Sequence, residues 1–328
     1  MDTPGNTRRW VPLPDQPLVT IVTPSFNQCR FVEATIRSVL DQDYAAIEYI
    51  VKDGGSTDGT LELLHRYADR LTWTSGPDGG QAAAINAGWR QGHGQIVAWL
   101  NSDDLYAPGA VRRAVEAFRR QPGAAGVYGD CDYIDQEGEL LGHFRTEPWD
   151  FTKVVCNLGG LIAQQSTFLR REAIDAIGYL DPDLSMAMDV DLWLRLGLHY
   201  RLQYLPERLA AFRIHETSKT VATGTRFGPE LRSIYDRFFA RADIPEALRA
   251  RKAEIDSNIS LANANYFFQA GDLALARRYA YLSWRQYPYK LRRTAWKIIT
   301  ISLFGNNVWR VYQKARAALV SRVAGLNP

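Results

Sequence analysis

Ile47-Glu48-Tyr49-Ile50-Val51-Lys52-Asp53-Gly54-Gly55-Ser56-Thr57-Asp58-Gly59 is a β-branched, apolar run that ends abruptly in a carboxylate, two glycines and two hydroxyls. The run predicts a buried strand over Ile47 to Lys52, and the polar cluster predicts a loop at its carboxyl end. Upstream, Leu18-Val19-Thr20-Ile21-Val22-Thr23 predicts another strand, stopped by Pro24 and opening into the loop Pro24-Ser25-Phe26-Asn27-Gln28. Between the two, Val32, Ile36, Val39 and Leu40 recur at helical spacing. A strand, a helix and a strand in so short a stretch imply parallel pairing.

The same pattern continues downstream. A short strand is predicted near Leu71-Thr72-Trp73, then Gly76-Pro77-Asp78-Gly79-Gly80 leads into an alanine-rich helix from Gln81 to Arg90. Ile96-Val97-Ala98-Trp99-Leu100 reads as a buried strand running straight into Asn101-Ser102-Asp103-Asp104, and a helix follows from Ala110 to Arg120. Ligands of open α/β sheets bind outside the carboxyl ends of the strands, so polar clusters far apart in sequence are expected to converge on one site.

Asp53 ends a strand before two glycines, which allows a ligand to approach the backbone while the carboxylate accepts hydrogen bonds from a base or ribose. The other reading is that Asp53 and Ser56 cap the next helix. Asp103 is delivered to the end of a strand, where a hard cation can take oxygen ligands both from its carboxylate and from a substrate's diphosphate. The other reading there is an Asx-type turn, with Asp104 capping the helix near Pro108. Asp189 and Asp191, two residues apart, project in different directions, so at most one faces a common site. Both also suit the first turn of a helix. His215 is either a metal ligand or a structural histidine.

Composition narrows the class. The 328 residues hold enough apolar material for an α/β domain with an appendage. Cys29, Cys131 and Cys156 are widely spaced with no CxxC pair, which argues against a disulfide framework or a cysteine zinc site and favours a reducing compartment. The first residues lack the pattern of a signal peptide, and no run approaches the ~20 apolar residues that span a bilayer. A cytoplasmic protein is expected. Net charge is +3, yet no acidic residue follows Asp272 whereas eleven lysines and arginines do, which leaves −8 on the preceding chain. These cations admit a nucleic-acid surface, an interfacial segment on an anionic membrane or the solvated face of a helical bundle, and Trp296, Ile298, Ile299, Ile301, Leu303, Phe304 and Trp309 among them suit the interfacial segment. Ala264 to Pro288 looks like one tetratricopeptide-type helical hairpin, present as a single copy.

Taken in order, these segments resemble glycosyltransferase family 2 from about Val19 to His215. Val19 to Gln28 resembles its first strand and nucleotide loop, which implies Pro24, Ser25 and Asn27 as donor contacts. Val51 to Thr60 resembles its base-binding Asp-Gly-Ser-x-Asp-Gly signature, with Asp53 and Gly55. Gly80 to Gly88 is similar to its third donor-site motif, which implies Asp78, Gln81 and Asn86. Asn101-Ser102-Asp103 stands where the family has Asp-x-Asp. Asn101 replaces the first aspartate, so it keeps a hydrogen-bonding role toward ribose while Asp103 is left as the main metal carboxylate. Met188-Asp189-Val190-Asp191 resembles the family's Glu-Asp motif with Met188 in the glutamate's place, which carries the base role onto Asp189. Phe212-Arg213-Ile214-His215 resembles the closing motif, with His215 reaching the metal or diphosphate. Gln164, Gln165, Asp191 and Trp193 are candidates for the acceptor or sugar pocket.

The resemblance implies an α/β fold of GT-A type, Rossmann-like, with a mixed, mainly parallel sheet flanked by helices and an all-α C-terminal extension. It divides the chain into an N-terminal arm (1–16), a GT-A domain (17–227) and a helical region with a basic amphipathic tail (228–328). The implied activity is inverting transfer of a sugar from a nucleotide-diphosphate donor, a UDP-sugar first, to a hydroxyl of a glycan or lipid-linked acceptor in surface polysaccharide assembly. The implied cofactor is Mg²⁺ or Mn²⁺. The implied location is cytoplasmic, peripheral to the membrane, and no nucleic-acid partner is expected. A nicotinamide dehydrogenase is excluded by the absence of Gly-x-Gly-x-x-Gly after the first strand. The competing readings are a nucleotidyltransferase that makes nucleotide sugars, which lacks support from any glycine-rich basic phosphate loop, and a non-catalytic scaffold.

Overall fold

A computed structural model describes residues 10–219, 224–288, 293–305 and 307–312. The runs read as strands do form strands: β1 (Val19–Ser25), β2 (Ile47–Asp53), β3 (Thr72–Ser75) and β4 (Ile96–Trp99). They alternate with helices α1 (Val32–Leu40), α2 (Thr60–Arg66) and α3 (Gln81–Gln91). Next come β5 (Leu105–Tyr106), α4 (Ala110–Arg120), β6 (Gly126–Ile134), β7 (Leu140–Phe144), α5 (Phe151–Cys156), β8 (Thr167–Arg170), α6 (Arg171–Ile177), α7 (Met188–His199) and β9 (Leu202–Arg213).

The described residues build a nine-stranded sheet in the order β3-β2-β1-β4-β8-β6-β9-β5, with β7 paired to β6. Its longest ladders, β1 on β2 and β6 on β9, are parallel, whereas β8, β5 and β7 run antiparallel to their partners. Successive residues of a strand face opposite sides of the sheet. Val19 and Ile21 of β1 pack with Val32, Ile36 and Val39 of α1 and Val111, Val115 and Phe118 of α4 in one core. Val22, of opposite parity, meets α3, where a Cβ on Gly88 would come within 2.6 Å of its side chain. Gly88 therefore sets the approach of helix to sheet.

β1 runs two residues past its expected stop. The Val22 carbonyl faces β4, accepting from Leu100 N at 3.0 Å, and the Ser25 carbonyl faces β2, accepting from Gly54 N at 2.8 Å. Pro24 shares Val22's parity, so its missing N–H lies on the side that β4 has already left. Proline there removes no ladder bond.

The described residues fall into two compact units. One reaches to Val154 and resumes from Gly159 to His215; the other is Val155–Leu158 with the chain from Glu216 onward. Of the N-terminal arm, residues 1–9 lie outside the described residues, and Trp10 is buried, its indole N–H donating to the Gly123 carbonyl at 3.0 Å. The second unit is helical: α8 (Phe227–Ala240), α9 (Glu246–Arg249), α10 (Lys252–Gln269), α11 (Leu273–Gln286) and α12 (Arg293–Leu303). The hairpin read from Ala264 to Pro288 is α10 and α11. Gly271 turns it at φ +84°, and the Asp272 carboxylate caps α11 by accepting from Leu275 N at 3.0 Å.

Candidate functional site at the carboxyl edge of the sheet

Register brings the polar clusters together. Ser25 ends β1 opposite Asp53 of β2, and Asp53 stands opposite Ser75 of β3. On the other side of β1, Val22 pairs with Trp99, so Asn101 emerges beside the same edge. Two buried side-chain oxygens, Ser25 Oγ at the end of β1 and Gln28 Oε1 in the loop after it, have no hydrogen-bond partner among the described residues. Such groups are costly unless something else satisfies them.

Asp53 is buried and holds its loop closed. Its Oδ2 accepts from Gly55 N (3.0 Å), Ser56 N (2.8 Å) and Ser75 Oγ (2.6 Å), while Oδ1 accepts from Ser56 Oγ. Each carboxylate oxygen carries two lone pairs, and Oδ1 holds one of these bonds. Oδ1 keeps one lone pair for a ligand, so closing the loop and contacting a base are compatible, whereas Asp53 and Ser56 do not cap α2, whose N-cap Gly59 has no side-chain bond. Ser56 Oγ also accepts from Asn27 N (2.7 Å), and Asn27 Oδ1 accepts from Thr57 N (2.9 Å), which staples the first loop to the second. Asn27, at φ +52°, occupies the left-handed region that asparagine tolerates. Gly54 lies where a Cβ would meet Asp78 Oδ2 at 3.2 Å and Phe26 at 3.3 Å, so Asp78 and the exposed ring of Phe26 border the same loop.

The turn after β4 is the polar centre of the site. Asn101 Oδ1 accepts from Gln81 Nε2 (2.8 Å), and its Nδ2 donates to Asp104 Oδ2 (3.0 Å) and Gln164 Oε1 (3.2 Å). Ser102 is buried at the centre of this turn. Asp103 Oδ2 lies 3.0 Å from His215 Nε2, although the two are 112 residues apart. Asp104 does not cap the helix near Pro108, where α4 begins after Gly109 instead. It is fully buried, and Oδ1 accepts from Arg213 N at 3.0 Å. Burial, with the neighbouring Asp103 charge second, pushes its carboxyl well above the ordinary carboxylate range against the donors Arg213 N, Asn101 and Gln165. The Arg213 guanidinium donates to the Asp103 carbonyl (2.9 Å) and to the carbonyls of Asp135 (2.9 Å) and Gln136 (3.0 Å). Asp104 and Arg213 thus tie the β4 turn to the end of β9 and bring Asp103 and His215 face to face.

Several expected ligand contacts have other work. Asn86 spans α3 and the loop before α7, donating to the Leu180 carbonyl (2.8 Å) and accepting from Leu180 N (3.0 Å), so its amide is spent on backbone rather than on a donor. Gln164 donates to the Trp99 carbonyl (2.8 Å), and Gln165 bonds Asp104. Both brace the turn from inside and do not open toward an acceptor. Asp191 pairs with Arg195 Nε (2.8 Å), whose guanidinium also holds the carbonyls of Ile177, Gly178 and Tyr179. Trp193 is 1% exposed and stacks on Trp99, ring centres 6.3 Å apart, as core.

Asp189 is in the first turn of α7, half-buried, with Oδ1 accepting from Val190 N at 2.9 Å. It precedes Trp193 by four residues and so shares the helix face that packs on β4. Asp191, two residues on, is engaged by Arg195 instead.

Asp104, Arg213 and Phe26 were not picked out from sequence. The adjacent Asp103-Asp104 pair and the exposed aromatic in a strand-end loop were the available signals. The replacement of aspartate by Asn101 also acquires a reason, since a carboxylate there would face Asp104 Oδ2 with no proton to donate. Asn101→Asp is therefore expected to lower stability by about 1–3 kcal/mol, the cost of an uncompensated buried polar contact, read as a lower Tm and a lower denaturant midpoint with unchanged m-value.

Known proteins resemble this chain in sequence and in fold. The glycosyl transferase family 2 profile matches residues 20–188, just over half of the chain. A glycosyltransferase of Rickettsia bellii with no assigned activity is 29% identical over 188 residues, 55% of this chain and 27% of that protein. The chain therefore spans about a quarter of that relative's length. A putative teichuronic acid biosynthesis glycosyltransferase of Bacillus subtilis is 29% identical over 209 residues, 62% of this chain and 81% of that one. Among solved structures, a mannosyltransferase from Pyrobaculum calidifontis in complex with GDP-Man and Mn²⁺ superposes with a TM-score of 0.59 at 21% identity, over 90% of this chain and 86% of that one. The chain belongs to glycosyl transferase family 2.

Proposed function

We propose that the protein is an inverting glycosyltransferase that moves a sugar from a nucleoside-diphosphate donor, a UDP-sugar first, onto a hydroxyl of a glycan or lipid-linked acceptor in surface polysaccharide assembly. The observation that carries this reading is the meeting of the Ser25, Asp53 and Asn101–Asp103 segments at one edge of the sheet, with His215 on Asp103. The base and ribose would lie along the loops of Ser25, Asn27 and Gly55, with the free Oδ1 position of Asp53 and one remaining lone pair of Asn101 as acceptors. Asp78 and the ring of Phe26 border this space, and the ring offers a face for stacking a base.

A divalent cation fits the donor set in part. Among the described residues no group of three or more His, Cys, Asp or Glu could hold a metal ion. Asp103 and His215 supply one carboxylate oxygen and one imidazole nitrogen, a pair suited to Mn²⁺ or Mg²⁺ only if diphosphate oxygens and water complete the shell. The relative from Pyrobaculum calidifontis was solved with both GDP-Man and Mn²⁺. Such an ion would supply charge neutralisation for the departing diphosphate. Asp189 would take the proton from the acceptor hydroxyl as that oxygen attacks the anomeric carbon, and a single displacement inverts the centre.

Sequence similarity to a putative teichuronic acid biosynthesis enzyme supports a surface-glycan acceptor. No helix of the described residues is long and apolar enough to cross a membrane. The proposed setting is the cytoplasmic face of an anionic membrane, reached through the basic C-terminal segment, with no nucleic-acid partner.

The test is release of nucleoside diphosphate from a panel of UDP-, GDP- and dTDP-sugars with Mn²⁺, with water or added glycans as acceptor. Release with one base class supports the reading. Pyrophosphate release from a nucleoside triphosphate and a sugar phosphate would instead support a nucleotidyltransferase, and no turnover with any donor would support the scaffold.

A further inference from the structure

The C-terminal segment read from sequence as one amphipathic run divides into two sets of side chains. Ala295 and Ile298 are buried in the core of the helical unit, with Ile299, Ile301 and Trp309 packed against it. The Trp309 indole also donates to the Phe268 carbonyl at 2.7 Å. Ala295 and Ile298 are thereby withdrawn from the surface. On the other side of α12, Trp296 is 47% exposed and Leu303 65%, and Phe304 follows at 68%. α11 adds Tyr281 and Trp284, both exposed. The rings form a continuous row, Tyr281 to Trp284 at 5.8 Å and Trp284 to Trp296 at 6.4 Å between centres.

A surface that leaves four aromatics and a leucine in water ordinarily has something to cover it. Charge identifies the kind of surface. Arg278 and Arg285 are exposed on α11 and Arg293 and Lys297 on α12, and no Asp or Glu occurs after Asp272. Tryptophan and tyrosine favour headgroup depth, where the ring enters the acyl boundary and the polar edge stays wet. Interspersed cations add attraction to anionic lipid.

We propose that the face built from Tyr281, Trp284, Trp296, Leu303 and Phe304 is the element that seats this protein on an anionic bilayer. It deepens the membrane reading given above and rests on it, assigning to one helical face what that reading gives to the whole tail.

The experiment is co-sedimentation of the full chain with phosphatidylcholine vesicles and with vesicles that also contain phosphatidylglycerol, at low and high salt. The wild type is expected to bind the anionic vesicles at low salt and to leave them at high salt. Trp284→Ala/Trp296→Ala, with its thermal transition retained, is expected to weaken partitioning roughly tenfold or more, from loss of two buried aromatic side chains. Arg278→Glu/Arg285→Glu, a change confined to exposed side chains, is expected to weaken binding at least about tenfold. Wild-type binding that both variants share would overturn this face while sparing the membrane reading. Failure of the wild type on every vesicle, including the case where it binds an oligonucleotide instead, would overturn both.

Discussion

Asp189→Asn is expected to lower kcat for sugar transfer by about a hundred- to ten-thousand-fold, the usual contribution of a positioned general base, with donor binding and Tm nearly unchanged. Asparagine keeps the size and the first-turn position of the residue in α7 but cannot take a proton. The carboxylate sits where the helix dipole favours an anion, and it shares its helix face with Trp193, which is stacked on Trp99 two residues before Asn101. Asp191→Asn provides the contrast. Its carboxylate is bound to Arg195, so its loss should appear in stability and leave the chemical step alone. Steady-state rates for the two variants, with calorimetric Tm values beside them, check this assignment; equal transfer by wild type and Asp189→Asn would remove Asp189 from the mechanism.

Asp103→Ala is expected to raise the Mn²⁺ concentration needed for half-maximal donor binding by at least about a hundredfold. Loss of an outer partner of a metal ligand typically costs ten- to a hundredfold in affinity, and with His215 as the one other candidate ligand among the described residues, removal of a direct one should exceed that range. The expectation is sharpened by what the substitution leaves intact. Asp104, the buried carboxylate next to it, keeps its bonds to Arg213 N and Asn101, so the turn after β4 should hold its shape. His215→Ala should shift the metal response in the same direction by less, because an imidazole contributes no formal charge.

The strands that build this site were readable because β-branched runs and the polar clusters that end them are local signals. Ile47–Asp53 and Ile96–Trp99 needed no knowledge of the rest of the chain. Ser25 was read as a loop residue, because proline is usually a strand breaker; only the early departure of β4 makes Pro24 harmless. Side-chain partners were less accessible. Asn101 reads as a weakened ligand until Gln81, Asp104 and Gln164 surround it, and those contacts depend on elements up to 63 residues away. Arg213 is joined to Asp104 across 109 residues. Gln164, Gln165 and Trp193 were candidates for the acceptor or sugar pocket, and their burial and their contacts with Trp99 and Asp104 were not readable from spacing. The tail shows the same limit: its composition left an interfacial segment and the face of a helical bundle both open, and which side chains face water was decided by helix pairing, which places Ile298 inward and Trp296 outward.

The claim at the centre of this account is that a nucleotide sugar binds at the carboxyl edge of β1, β2 and β4 through Asp103. The most direct measurement is thermal unfolding of the wild type and Asp103→Ala against increasing UDP-, GDP- and dTDP-sugars, with and without Mn²⁺. A ligand that binds only the native state raises stability by about 2.7 kcal/mol at a hundred times its Kd. The account predicts a saturable, Mn²⁺-dependent rise in Tm with one base class in the wild type and its loss in Asp103→Ala. A rise of equal size in both proteins, or none with any donor, would contradict it.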